Sequence, residues 1–219
     1  IDSSGAVTAR FGVVSFGQGL QTTLAQVVAD ELGVAIDDIE IVMGDSAGLA
    51  HVTGSYASRS AVLAGGAATL ACRTVREKIL KVASHLFEAS TDDIDVRDGA
   101  VTVTGTDRSM TVAEIARALY SEMGRLPKEL RDEIDNLEAT RVYDPFFGTA
   151  TSASHMAVVE IDPDTFHTTV RRYVVAEDCG RIINPMIADG QAHGGVVQGI
   201  GVALLEEIIH DENGQILTT

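Results

Sequence analysis

A Gly-Gln-Gly sequence, Gly17–Gly19, separates a β-type run from a helical run near the start of the chain. Glycine adopts positive φ readily and lets a phosphate approach the backbone closely. The N-terminus of a helix presents N–H groups that have no partner within the helix, and these groups bind anions. Gln18 adds a side-chain donor. The motif therefore indicates an anion site, although it matches neither GxGxxG nor GxxxxGK[ST], and a simple tight turn is the alternative.

A second sequence, GSYASRS at 54–60, precedes a long helical run and brings serine hydroxyls and Arg59 to another helix N-terminus. A guanidinium forms forked, charge-assisted hydrogen bonds with phosphate oxygens, and serine hydroxyls are short-range donors. This combination suits a pyrophosphate. The alternative is open as well, because serines are ordinary N-caps and Arg59 can pair with one of many carboxylates.

A third segment, from about 188 to 206, reads as a helix interrupted by glycines. Each internal glycine costs roughly 0.5–1 kcal/mol relative to alanine, so several in one helix need a compensating interaction. We favour close packing of the helix backbone, against another backbone or a flat ligand; a helix that only packs is the alternative. The polar groups on offer are Gln191, His193 and Gln198. The glycines are Gly190, Gly194, Gly195, Gly199 and Gly201.

Other candidates are weaker. His51, His155 and His193 lack the spacing of a metal site, so structural roles are expected for them. The Glu177-Asp178 pair is expected at the surface, and Cys179 is expected to be a small buried residue. No Ser–His–Asp or paired-carboxylate arrangement follows from the spacing. The sequence thus offers places for an anion but no catalytic group.

Periodicity and turn signals predict the elements that position these motifs. Residues 125–140 are charged and weakly periodic, and we expect a surface excursion there. Predicted strands cover 6–16, 39–43, 154–162 and 167–178, with hairpin turns at Asp98-Gly99 and Asn213-Gly214. Predicted helices cover 20–32 with Gly33 closing it, 60–87, about 111–123 with a Thr111/Glu114 capping box, and about 188–206.

Strands that pair locally and helices in long blocks predict an α+β fold, with mixed or antiparallel sheets and long helices packed on them. We expect one region over 1–219, with 1–110 and 111–219 as possible sub-units.

The charge balance excludes some partners. Sixteen basic against 32 acidic residues give a net charge of −16, which disfavours nucleic acid and anionic membrane surfaces. The sequence contains no apolar run of about 18 residues, so no membrane span is predicted. The first residues lack the basic and apolar regions of a signal peptide. Two distant cysteines, Cys72 and Cys179, predict reduced thiols in a cytoplasmic protein.

Both ends read as interrupted strands. No Met precedes the first strand, and DENGQILTT enters a strand that stops at Thr219. We therefore expect a fragment, a short natural protein being the alternative. An unpaired edge at Thr219 would also favour a homodimer.

Three segments together resemble the molybdenum-binding large subunit of the xanthine oxidase and aerobic carbon monoxide dehydrogenase family. The resemblance covers nearly the whole chain in the family's order, and the GSYASRS and DGQAHGG forms look closer to the bacterial carbon-monoxide-dehydrogenase-like subunits. The segments are FGQGLQTTLAQVVADELGV, GSYASRSAVLAGGAATLA and VVAEDCGRIINPMIADGQAHGGVVQGIGVALLEE.

The resemblance implies a molybdenum cofactor, in bacteria usually molybdopterin cytosine dinucleotide, and partner subunits that carry iron–sulfur clusters and FAD. It implies an oxidoreductase, a molybdenum-dependent hydroxylase or dehydrogenase in full-length form. The residues that match the cofactor-contacting stretches are Phe16, Gly17, Gln18, Gly19, Ser55, Tyr56, Ala57, Ser58, Arg59, Ser60 and Gln191.

The family's catalytic glutamate lies in a GxGE-type motif beyond the final hairpin, and its substrate-defining loop lies upstream. We therefore expect no catalytic residue and no metal ligand within these 219 residues. We expect the isolated chain to be inactive, and an isolated chain without cofactor is one alternative. A non-catalytic nucleotide- or phosphate-binding module and a purely structural piece are the alternatives.

Overall fold

A computed structural model describes residues 1–49, 52, 54–146 and 150–218. The chain divides into two compact units, Ile1–Thr149 and Ala150–Thr219. The expected boundary at 110/111 is misplaced, because the helix that follows it and the apolar side chains up to Leu137 belong to the core of the first unit.

The first unit opens with a strand–helix–strand crossover. Strand β1 (Val7–Phe11) pairs in parallel with β2 (Ile39–Met43), and helix α1 (Leu20–Leu32) connects them. Parallel strands need such a crossover, and here α1 provides it. The prediction of β2 and α1 is confirmed, including Gly33 as the left-handed residue that ends the helix. Strand β1 is shorter than the predicted run 6–16.

Helix α2 (Ser60–Phe87) is the long helix that the sequence predicts. It packs beside α1. Its first half is rich in alanine and glycine, and its second half contributes Val75, Ile79 and Val82 to the core. The core of this unit therefore lies between the two helices and the strands beside them.

A three-stranded antiparallel sheet follows, with β3 (Ile94–Arg97), β4 (Ala100–Val103) and β5 (Ser109–Thr111). Asp98 and Gly99 both have positive φ, at 51° and 75°, as a two-residue type I′ hairpin requires. Helix α3 (Val112–Tyr120) begins with the predicted capping box and ends before Met123, where a short 3₁₀ turn follows.

The prediction for residues 125–140 is wrong. Helix α4 (Lys128–Glu133) lies in this segment, and Leu126, Ile134 and Leu137 are all buried, Leu137 completely. The apolar residues are too widely spaced among charges to show a clear period, yet each one reaches the core. These side chains pack the segment into the core of the first unit.

The second unit contains a long hairpin and a helix. Strands β6 (Ser152–Ile161) and β7 (Thr168–Asp178) pair antiparallel, and helix α5 (Pro185–Leu204) follows. Asn184 caps α5 and Pro185 occupies its first turn, so it begins a few residues before the predicted start. None of its described residues is fully buried.

The α+β fold class is thus confirmed. Along the described ranges, no helix has both the length and the apolar character needed to cross a membrane.

Candidate functional site

The two loop motifs of the first unit, far apart in sequence, are joined by hydrogen bonds. The Gly54 amide donates to the Gly12 carbonyl at 3.0 Å. The Ser55 hydroxyl donates to the Val14 carbonyl at 2.6 Å and accepts from the Val14 amide at 2.9 Å. Since β1 and β2 are parallel and α1 and α2 follow them, both helices begin at the carboxyl edge of this strand pair. The structure therefore brings together the sites that the sequence analysis proposed separately.

At the start of α1, the loop leaves helix amides without side-chain partners. Gly17 and Gly19 have φ of 108° and 73°, a conformation that favours glycine. The first helical hydrogen bond runs from the Thr23 amide to the Gly19 carbonyl, and no described side chain caps the turn before it. Such a turn presents its free N–H groups and the positive end of the helix dipole to an anion.

The Gln18 side chain forms hydrogen bonds within its own loop, whereas the sequence suggested that it donates to a ligand. Its side-chain oxygen accepts from the Phe16 amide at 2.7 Å and from the Ser15 hydroxyl at 3.3 Å. Its side-chain nitrogen lies 3.5 Å from the Val14 carbonyl. In this structure Gln18 shapes the loop that carries Gly17 and Gly19.

The start of α2 is also uncapped. Arg59 is the N-cap residue, and among the described residues no side chain bonds to the first-turn amides. Ala57 and Ser58 precede it with φ of 55° and 53°. Left-handed backbone at a non-glycine residue costs of order 1–3 kcal/mol and persists where the surrounding structure enforces it, often at binding sites.

The surroundings of the Arg59 side chain indicate what kind of ligand the start of α2 fits. The Nε and Nη2 atoms of its guanidinium are buried and have no hydrogen-bond partner among the described residues. Its carbon atom Cζ lies 3.8 Å from the centre of the Tyr56 ring. Buried donor groups without a hydrogen-bond partner are costly, and an anion placed beside these two nitrogen atoms would remove that cost. The residues present therefore fit a phosphate-containing ligand.

Aromatic side chains flank the same region. Phe16 is 73% exposed and Tyr56 is 56% exposed, which is high for large apolar groups. Exposed aromatic faces of this kind can stack on a flat ring. Ser58 is exposed too, while Ser60 begins α2.

Gln191 lies on α5 in the second unit and is exposed. A Cβ added at Gly190, Gly194, Gly195 or Gly199 would meet no described atom within 4 Å, and only Gly201 has a neighbour, the Glu206 carboxylate. The close packing that we favoured for these glycines is therefore absent within the described residues of this unit.

The weaker candidates have ordinary surroundings. His51 lies outside the described residues. His155 meets the Tyr173 ring edge-on, with its Nδ1 atom 3.3 Å from the Tyr173 hydroxyl. Burial raises the pKa of the Cys72 thiol to about 12, so it is no nucleophile near neutral pH. Cys179 is exposed, which corrects the expectation of a buried residue.

Among the described residues, no group of three or more His, Cys, Asp and Glu side chains could hold a metal ion.

Comparison with known families identifies the domain. A family model described as the molybdopterin cofactor-binding domain matches residues 1–219. The chain belongs to this family. The resemblance noted in the sequence is confirmed.

Curated relatives have similar sequences over the full chain. The nicotine 6-hydroxylase large subunit of Paenarthrobacter nicotinovorans is 40% identical over 100% of this chain and 27% of its own length. The carbon monoxide dehydrogenase large chain of Hydrogenophaga pseudoflava is 38% identical over 99% of this chain and 26% of its own length. This molybdopterin cofactor-binding domain thus spans about a quarter of the length of these relatives.

Solved structures share the fold. Quinoline 2-oxidoreductase from Pseudomonas putida 86 aligns with a TM-score of 0.91 and 42% identity, covering 100% of this chain and 27% of that one. Carbon monoxide dehydrogenase from Oligotropha carboxidovorans aligns with a TM-score of 0.87 and 37% identity, covering 99% of this chain and 26% of that one.

Proposed function

We propose that this domain holds the dinucleotide form of molybdopterin by its pyrophosphate, at the neighbouring N-termini of α1 and α2. The observation that carries the proposal is that the Nε and Nη2 atoms of Arg59 are buried and have no hydrogen-bond partner in the part of the chain that the structure describes. The uncapped first turns of both helices add main-chain donors to the same region. Main-chain donors bind an anion despite the chain's net charge of −16.

The candidate residues divide into three roles under this proposal. The first-turn amides after Gly17–Gly19 and around Ser60 donate to the phosphate oxygens, with Ser58 beside them, and Arg59 supplies the charge. Ser55 and Gln18 hold the loops in place through bonds to Val14 and Phe16. Exposed rings at Phe16 and Tyr56 face flat parts of the ligand.

The complete protein, we propose, is an oxidoreductase of the molybdenum hydroxylase class. When bound, the cofactor supplies the metal centre at which substrate is oxidised, while the residues described here bind and orient it. The relatives' names support this class: a nicotine hydroxylase, a dehydrogenase complex subunit and carbon monoxide dehydrogenases. Their range leaves the substrate open.

The family resemblance of the three sequence segments also implies a form of the cofactor and a set of partner subunits. We propose molybdopterin cytosine dinucleotide, an iron–sulfur subunit, an FAD subunit and a cytoplasmic location. A complex is supported by one relative, the 6-hydroxypseudooxynicotine dehydrogenase complex subunit gamma of Paenarthrobacter nicotinovorans. Self-association of the isolated chain through its strand edges is a further proposal, which light scattering at high protein concentration would test.

The experiment is elemental analysis combined with nucleotide release from the full-length gene product. We expect about one molybdenum and one cytidine nucleotide per polypeptide. Nucleotide without molybdenum would favour the alternative, a non-catalytic nucleotide-binding module that uses the same loops. If the protein held neither molybdenum nor a nucleotide, both functions would be contradicted.

The isolated 219-residue chain is expected to be inactive, because we place the catalytic glutamate outside it. Molybdenum-dependent reduction of a redox dye by this chain alone would contradict that expectation.

A further inference from the structure

An extended segment of the first unit lies along helix α2, and we call residues 136–143 the strap. Near the middle of α2, Lys78 Nζ donates to the Asn136 carbonyl at 3.0 Å and to the Glu138 carbonyl at 2.8 Å. Towards the start of α2, Arg141 Nη2 donates to the Thr74 hydroxyl at 3.0 Å. Nearer still to the start of α2, the Tyr143 ring lies against Gly66. Because residue numbers rise along the strap while those of its contacts on α2 fall, the strap runs antiparallel to the helix.

The lengths of the two segments agree. From Lys78 back to Gly66, a helix rises by roughly 18 Å at about 1.5 Å per residue. From Glu138 to Tyr143, an extended chain covers roughly 17 Å. An extended strap is therefore long enough to follow α2 towards the helix N-terminus, where Arg59 lies.

Tyr143 ends the strap on a glycine. A Cβ added at Gly66 would lie less than 3.0 Å from three atoms of the Tyr143 ring, Cγ, Cδ1 and Cε1. Any side chain there would have to displace the ring, because real Cβ atoms essentially never approach so closely. At Gly65, the preceding residue, an added Cβ would meet nothing within 4 Å. The ring thus rests directly on the helix backbone at one position.

The start of α2 has few other means of stabilisation. Gly65 and Gly66 are consecutive, and each costs roughly 0.5–1 kcal/mol relative to alanine in a helix. The first turn has no side-chain cap among the described residues. Ala64 and Ala68 are the buried side chains nearest to it on this helix, and both are small. The turns that carry Arg59 are therefore weakly held by their own residues.

We propose that Tyr143 is a positioning residue for the cofactor site. Its ring, lying on Gly66, fixes the first turns of α2 and thereby holds Arg59 and the free amides of the first turn in place. The proposal rests on the proposed function for its effect on ligand binding, while its effect on the helix stands without any ligand.

The test compares Gly66→Ala with Gly65→Ala in the full-length protein. Both changes bring the same gain in helix propensity, but only Gly66→Ala displaces the ring. We expect Gly66→Ala and Tyr143→Ala to release the cofactor roughly tenfold faster than wild type, a change of about 1.4 kcal/mol. Gly65→Ala and Tyr143→Phe should release it at the wild-type rate. The double variant Gly66→Ala/Tyr143→Ala should release the cofactor no faster than either single variant, because both changes remove the same contact.

Hydrogen exchange of the Leu63 amide gives a readout that needs no cofactor. This amide donates to the Arg59 carbonyl at 2.9 Å and is exposed to exchange when the first turn opens. Faster exchange in Gly66→Ala than in Gly65→Ala would support the strap even if the wild type held no nucleotide, an outcome that would overturn only the proposed function. Equal exchange and equal cofactor release in the two variants would overturn the positioning role of Tyr143.

Discussion

At the scale of single residues, Arg59 is the residue that selects for an anion under the proposed function. Its guanidinium stacks on Tyr56 yet leaves Nε and Nη2 buried without a partner among the described residues. Such a group opposes folding of the ligand-free protein and favours ligand binding, because the same desolvation cost is relieved only when an anion arrives. Binding and stability should therefore respond in opposite directions to its removal.

Replacing Arg59 with methionine tests this relation. We expect affinity for a nucleoside diphosphate to fall about 10- to 150-fold, as for a lost hydrogen bond to a charged group worth about 1.5–3 kcal/mol. The free energy of unfolding without ligand should stay level or rise, because two buried donor atoms without a hydrogen-bond partner are removed. Calorimetric titration with CDP and urea denaturation measure the two effects.

Arg97 provides the matched control, since its side chain is 81% exposed and lies on β3. Arg97→Met should leave both quantities near the wild-type values. A large loss of stability in Arg59→Met with unchanged nucleotide affinity would assign Arg59 a structural role.

At the scale of elements, the sequence predicted those whose signals are local. Helix α2 has its predicted bounds, the Asp98-Gly99 hairpin turns where expected, and Thr111 with Glu114 forms the capping box. Each depends on residues within a few positions of one another. The loop motifs were also found, since glycine pairs and serine clusters mark helix starts.

What the sequence did not predict depends on contacts between distant residues. The Ser55–Val14 bonds join two loops through a hydroxyl that also reads as an N-cap signal. The strap has no period of its own, and its partner Gly66 looks like any other glycine in an alanine-rich helix. The buried residues of 125–140 are separated by charges, so only the tertiary structure reveals their role.

Leu137→Ala measures how firmly that segment anchors the first unit. Leu137 is completely buried, and truncating such a leucine costs about 2–5 kcal/mol. Glu129→Ala, on an exposed face of α4, should change the free energy of unfolding by less than about 0.5 kcal/mol. Equal effects of the two changes in chemical denaturation would restore the interpretation of a surface excursion.

The capping box of α3 makes part of the stability depend on pH. The backbone and side-chain hydrogen bonds from Thr111 lower the pKa of Glu114. Because the folded-state pKa lies below the unfolded-state pKa, this stabilisation is complete above the unfolded-state pKa. It is lost as the pH falls through the folded-state pKa.

Thr111→Ala should lower the free energy of unfolding by about 1 kcal/mol near neutral pH, as expected for a lost N-cap. The difference from wild type should shrink on acidification to about pH 3, because protonated Glu114 no longer favours the hydrogen bonds as an anion. Urea denaturation of both proteins at several pH values checks this. A difference that stays constant or grows on acidification would contradict it.

At the scale of the whole molecule, the two units differ in what stabilises them. The first unit buries a continuous set of apolar side chains between α1, α2 and the adjacent strands. From Ala150 onward, none of the described residues is fully buried, and apolar side chains such as Met186 and Leu205 are 78% and 83% exposed. Burial of apolar surface is the main source of stability, so the first unit should be the stable part of the isolated chain.

Limited proteolysis of the isolated chain tests whether the first unit is more stable than the second. Trypsin should cut first at the exposed Arg171, Arg172 and Arg181 of the second unit, because local opening there meets little resistance. A resistant product ending within roughly residues 141–172 should remain, detected by mass spectrometry. Its urea dependence should match that of the intact chain, since the slope of unfolding free energy against urea follows the surface that unfolding exposes. If the first cuts instead fell within α1 or α2, or the intact chain of 23.1 kDa resisted as a single block, stability would be shared between the units and the division drawn here would be wrong.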